Sequence, residues 1–194
     1  MLLTSSLLSA TEGVVHGLTT REGGVSPGPL ADLNLAWDRG EPVHNEENWR
    51  RVKKRLGHPE SPVAVVHQVH GNEVVEAVDG GSPLCPQEDA DALYTTRPGV
   101  LLAVRTADCV PILLAGPGGV AAVHAGWRGT AQGILAKAVG VLSARLGCEP
   151  REIRAAIGPS IGLDAYEVGL EVVEGIERLV PKDRFVKQTK SAIH

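Results

Sequence analysis

The chain has 194 residues, 43% hydrophobic and 22% charged, with a formal net charge of −4. That length suits one domain with a substantial core, and no run of 18 apolar residues is present to form a membrane span. The mild acidity gives no basic footprint for nucleic acid or anionic lipid, and with aromatics at 3% exposed rings for base stacking are scarce.

The N-terminal MLLTSSLLSA is apolar but short and carries no basic residue, so it reads as a first strand or a mobile end rather than a signal peptide. Residues 13–19 (GVVHGLT) predict a strand, and 20–44, with REGGVSPGP, a long loop. Asn45 is placed to cap a helix ending near Gly57, with Glu46 and Glu47 suiting its positive end. Strands follow at 63–70, 73–78, 91–95, 100–106, 110–115 and 119–124, with Gly71-Asn72 as a hairpin turn between the first two. Residues 130–146 predict a helix whose buried stripe is Ile134, Ala138, Val141, Leu142 and Leu146, terminated by Gly147. A strand at 153–158 and a helix at 167–180, with Val172, Val173, Ile176, Leu179 and Val180 on one face, complete the chain. Many short strands and few helices predict an α+β fold, read as a single domain over 1–194. Cys85, Cys109 and Cys148 are odd in number, widely spaced and without a CxxC pair. No disulfide framework is expected, and the expected setting is the reducing cytoplasm.

Three stretches carry residues suited to chemistry. In VVHQVHG, strand alternation puts His67 on the face of Val65 and Val69, and His70 on that of Gln68; a hydrogen-bonded structural histidine is the alternative for either. In TADC (106–109), Cys109 is a small core residue or a ligand, while the Asp108 carboxylate needs a partner, a capping role or a function such as proton transfer. In VAAVHAGWRGT (120–130), His124 ends a strand just before a helix. Arg128 there presents a bidentate fork for phosphate or carboxylate beside free helix amides; a structural salt bridge is the alternative. Arg21, in the Gly-rich loop, is a second anion candidate. Two His and one Cys on separate strand ends form a candidate metal set, since zinc accepts mixed N/S ligands and three protein ligands leave a position open.

HQVHG, ADALYTTRPG, TADCVPILL, HAGWRGT, IGPSIG and YEVG occur in that order, after TTREGGVSPGPLADLNLAWDRG near the start. Together they resemble the YfiH-like laccase-domain family, described as polyphenol oxidases or purine nucleoside phosphorylases, from about residue 14 to 175. The resemblance implies a single layered α/β domain built around mixed β-sheets with flanking helices. It implies His70, Cys109 and His124 as metal ligands, and so as catalytic residues, which leaves His67 the less suited as a ligand. Beside these, the residues themselves are read with Asp108 as a catalytic proton-transfer group and Arg128, Arg21 and His67 as substrate- or anion-binding residues. The implied metal is zinc, with copper for the oxidase activity. The implied activities are phosphorolysis of adenosine, inosine and methylthioadenosine, and hydrolytic deamination of adenosine. Metal acidification of a water suits attack at C6 of adenine, and phosphorolysis needs an anion site, for which Arg128, the N-terminus of helix 130–146 and Arg21 stand.

Other readings of the same residues are an amidase acting on peptidoglycan precursors, a copper-dependent polyphenol oxidase, and a metal-binding module without activity. Laccase chemistry needs several coppers, and seven scattered histidines with no HxH pair suit it poorly. The expected partners are a small nucleoside and phosphate, with no nucleic acid and no membrane, for a monomer or homodimer. Two departures from the family pattern stand out. Ser160 and Ala165 occupy a segment where members usually carry cysteines. The family also continues beyond the position of His194, so the domain is expected to lack its C-terminal segment.

Overall fold

The computed structural model describes residues 2–84, 86, 88–181 and 184. Its centre is a mixed five-stranded sheet in the order β4-β5-β8-β7-β9. The strands are β4 (Val74–Glu76), β5 (Ala92–Thr95), β7 (Val110–Gly116), β8 (Gly119–Ala125) and β9 (Arg154–Ile157). β4 pairs β5 in parallel, and the remaining pairs are antiparallel. β3 (Val63–Val65) and β6 (Leu101–Ala103) form a separate parallel pair, and β1 (Leu2–Leu3) pairs β2 (Leu18–Thr19). The helices are α1 (Ser6–Ser9), α2 (Pro42–Arg55), α3 (Trp127–Ala131), α4 (Ile134–Leu146) and α5 (Leu170–Ile176).

Strand alternation sorts the sheet into two buried faces. Ala121, Val123 and Ala125 of β8 join Ala92, Ile112 and Leu114 against Ile134, Ala138 and Leu142 of α4. Ala122 and Leu93 face the other way, with Ala64, Val66, Leu102 and Val104 in or beside the β3–β6 pair. His124 shares the parity of Ala122, so it projects from the side opposite α4. The result is an α+β domain of three layers, with α4, the sheet and the β3–β6 pair stacked in turn.

Several expected elements are redrawn. The hairpin at Gly71-Asn72 does not form, because β3 and β4 lie in different sheets and each pairs in parallel with another strand. The strand expected over 63–70 stops at Val65: His67 then bonds the backbone at Glu88 and Ala90, and the amides after it turn to a side chain. The strand expected over 13–19 is reduced to Leu18–Thr19.

α2 begins at Pro42, a residue suited to the first helical position, with Glu41 rather than Asn45 at its cap. Asn45 and Asn48 are buried within α2, where their amides secure the 23–40 loop through Ala36 O, Arg39 O, Asn34 O and the Val25 amide. The helix expected over 130–146 is two helices, α3 and α4, divided at Gly133, whose φ of 77° no helix continues through. α5 is also shorter than the expected 167–180. Cys85 and His194 lie outside the described residues.

Candidate metal centre

The sheet register assembles the site. His124 lies near the end of β8. Its neighbour on one side is β7, where Pro111 pairs with His124, so Cys109 lies just beyond the start of that strand. On the other side Ala92 of β5 pairs with Val123, which sets Asp91 beside His124; the His124 amide donates to Asp91 O at 2.7 Å. His70 arrives from the segment between β3 and β4. Ligand atoms of His70, Cys109 and His124 all lie within 4.8 Å of one another. The two imidazoles meet edge to face with centroids 4.9 Å apart.

Asp91, which the sequence motifs did not single out, organises the centre. It is 0% exposed. Its carboxylate accepts from the Val69, His70 and Gly71 amides at 3.2, 3.0 and 2.6 Å, and lies 2.7 Å from His124 Nδ1. A carboxylate only accepts, so Nδ1 carries the proton and Nε2 keeps its lone pair for a ligand. His70 holds a left-handed backbone with φ of 61°, rare for a residue with a side chain and maintained here by the amides bound to Asp91. A buried Asp preceding the apolar strand ALYT was the available sequence signal, because an acid there requires partners.

Two glycines give the centre its room. A Cβ on Gly126 would lie 2.9 Å from His70 Cδ2, 3.4 Å from Cys109 Sγ and 3.7 Å from His124 Cε1. A Cβ on Gly129 would meet Gly71 O at 2.5 Å, so the first turn of α3 presses directly on the turn that presents His70.

Burial shifts the protonation of His124 and Cys109 in opposite directions. It pushes the His124 pKa down, outweighing the hydrogen bond and charge of Asp91, so the imidazole is neutral near pH 7. It pushes the Cys109 thiol up, with Asp108 and Asp91 adding to the effect. One divalent cation would reverse the second shift, since metal coordination favours the thiolate. The donor set suits such an ion: two nitrogens and one sulfur reaching bonds of about 2.0–2.3 Å need only a small contraction from the observed spacing.

The other expected residues are dispersed around this centre. Asp108 is exposed, close enough to affect both Cys109 and Tyr166. Tyr166 has its phenol pushed up chiefly by burial and senses Cys109 and Arg128 as well, which puts it on the same side of the centre. His67 lies beside the centre rather than in it, with Nδ1 2.7 Å from Asp89 and its ring edge-on to Trp37. Arg128 is exposed and stacks on Trp127 at 4.4 Å. It lies within α3, and the helix N-terminus expected at 130 is absent. Arg21 spends its guanidinium on Ala31 O, at 2.9 and 3.3 Å. A cleft of about 840 Å³ runs from His70, Cys109 and His124 past His67 and Trp37 into the space beneath the sheet.

Residues 15–194 match the family described as "Multi-copper polyphenol oxidoreductase laccase". The chain belongs to the multi-copper polyphenol oxidoreductase laccase family. It is 45% identical over 161 residues to a protein of Deinococcus radiodurans named purine nucleoside phosphorylase, covering 82% of this chain and 61% of that one. It is 42% identical over 166 residues to the Escherichia coli protein named purine nucleoside phosphorylase YfiH, covering 84% and 65%. The chain therefore spans less than two thirds of either relative. The crystal structure of YlmD from Geobacillus stearothermophilus superposes with a TM-score of 0.83 at 36% identity, over 91% of this chain and 70% of that one. Family membership and this superposition agree with the layered architecture. Among the described residues, His70, Cys109 and His124 are the one group of three His, Cys, Asp or Glu side chains that could hold a metal ion. No helix among them is long and apolar enough to cross a membrane.

Proposed function

We propose that the protein is a metal-dependent purine nucleoside enzyme, cleaving adenosine, inosine or methylthioadenosine with phosphate and deaminating adenosine. The observation that carries this reading is the His70–Cys109–His124 group, backed by Asp91, in the wall of a cleft within the range that holds small-molecule ligands. Relatives at 38–45% identity named purine nucleoside phosphorylase support it. Zinc is the metal that best suits a neutral imidazole pair with a thiolate, and copper shares that preference. When bound, the ion supplies Lewis acidity and an acidified water.

The chain's own groups do the rest. His124 is held in one tautomer by Asp91. Asp108 and Tyr166, both near enough to Cys109 to interact with it electrostatically, are the groups that would move protons. His67, oriented by Asp89 at the cleft wall, contacts substrate, while Arg128 and Arg21 stand at the periphery as anion contacts. In phosphorolysis a phosphate oxygen bonds to ribose C1′ as the C1′–N9 bond breaks. The electron pair leaves with the base, which takes up a proton. A polyphenol oxidase reading has the family description behind it, but four-electron oxygen chemistry needs several coppers, and one group of three ligands is a poor basis for it. The setting is the cytoplasm, where Cys109 and Cys148 stay as thiols.

Chromatography of adenosine incubated with zinc-loaded protein, with and without phosphate, tests the reading. Adenine appearing only with phosphate establishes phosphorolysis, and inosine in both samples establishes deamination. The absence of both products with metal-loaded, folded protein refutes the proposal.

A further inference from the structure

Among the described residues, Arg105 carries a charge that no ion pair balances. It lies between β6 and Cys109 and lines the same cleft as His70, Cys109 and His124. Its Nη1 is buried and has no hydrogen-bond acceptor among the described residues. Asp38 is near enough to favour the charge, yet burial outweighs it.

The backbone at Arg105 is fixed. Gln68 Nε2 donates to Arg105 O at 2.7 Å, and the Arg105 amide donates to Gln68 Oε1 at 2.8 Å. Gln68 belongs to the same HQVH segment as His67 and His70, so one amide side chain ties the guanidinium's base to the strand end that presents the metal ligand. A second donor in the cleft wall is also unmet: the Trp49 indole N–H has no acceptor among the described residues, although Trp49 is only 5% exposed.

An arginine that merely covered apolar wall would extend its head into water. Arg105 is half-buried, and a buried guanidinium N–H with no acceptor is costly, more so than a neutral donor. Unmet donors without matching acceptors in one cleft call for a ligand rich in acceptors, and the formal charge calls for an anion. The guanidinium fork matches phosphate geometry. We propose that Arg105 is an oxyanion-binding residue of this cleft and that its ligand is a phosphate group, carried as inorganic phosphate or as the 5′-phosphate of a nucleotide. The choice of phosphate among oxyanions rests on the purine nucleoside reading; the anion site itself rests on Arg105.

Calorimetric titration of the full chain with inorganic phosphate, adenosine 5′-monophosphate and adenosine tests this. Arg105→Met is expected to weaken phosphate or the nucleotide at least tenfold, leaving adenosine affinity and zinc content within twofold. Arg97→Gln removes the same charge at a site paired with Asp79 outside the cleft, and should change nothing beyond twofold. Asp38→Asn removes an opposing carboxylate and should tighten the anion, which a purely structural arginine would not produce. Loss for inorganic phosphate assigns a co-substrate; loss for the nucleotide alone assigns a substrate phosphate. The proposal falls if Arg105→Met binds both anions as the parent does, or if the parent binds neither. Should that variant fail to fold, Arg105→Lys serves, keeping charge without the fork; unchanged affinity in both it and Asp38→Asn overturns the assignment. Product chromatography separates the two ideas: Arg105-dependent anion binding without adenine release sinks the phosphorylase reading alone, while adenine release with a phosphate KM indifferent to Arg105 sinks this one.

Discussion

Asp91 Oδ1 lies 2.7 Å from His124 Nδ1, with both side chains buried, at 0% and 3% exposure. The same carboxylate gathers the amides of residues 69–71. One acid thus fixes two of the three candidate ligands, the first through its ring and the second through its backbone.

Asp91→Ala should therefore do more than remove one hydrogen bond. It leaves three part-buried backbone donors and a buried imidazole N–H without their acceptor, and we expect a loss of about 3–5 kcal/mol in urea unfolding. Asp91→Asn keeps the shape but frees the His124 tautomer, and zinc affinity should drop about 10–100-fold. Zinc affinity equal to the parent's in Asp91→Asn would show that the carboxylate is structural only.

Gly126→Ala places a methyl 2.9 Å from the His70 ring. The ring is the mobile partner, so the fold should survive while zinc stoichiometry, read by elemental analysis, falls well below the parent's. Gly129→Ala strikes backbone instead, at Gly71 O, and should cost stability as well as metal. Full zinc occupancy in both variants would refute the crowded geometry.

Gly140 sits within α4, and a methyl group added there would have nothing within 4 Å of it. Gly140→Ala should raise stability by about 0.5–1 kcal/mol through helix propensity and leave zinc binding untouched. A lower melting temperature would mean that this face of α4 is covered in solution.

Burial holds the His124 pKa below its ordinary 6.5. Below that pH the unfolded chain binds a proton that the folded one still refuses, so the metal-free protein should lose stability as pH falls from 7 towards 5. Cys109 is shifted the opposite way and must give up its proton to become a ligand, so zinc uptake should release protons and tighten with rising pH. Calorimetry in buffers of different ionisation enthalpy reads that proton release directly; uptake without it would mean that Cys109 is not a ligand.

Local pattern sufficed for much of the framework. The runs at 110–115 and 119–124 and the stripe Ile134–Ala138–Leu142 form where the alternation and the helical period place them, because each buries its apolar face against the other. The same runs put His124 and Cys109 at strand ends, while Cys109 reads from pattern alone as a small core residue or a ligand. Pairing was not legible. The segment HQVHG looks like a strand entering a hairpin, but its amides are claimed by a carboxylate twenty residues away in sequence. Asp91 escaped notice because a single acid before ALYT resembles any strand-edge polar residue until β8 delivers His124 to it. Composition and periodicity thus determined the class of fold and the residue types at its strand ends. Only the tertiary register decided which of them meet, since long-range pairing depends on partners that no local stretch contains.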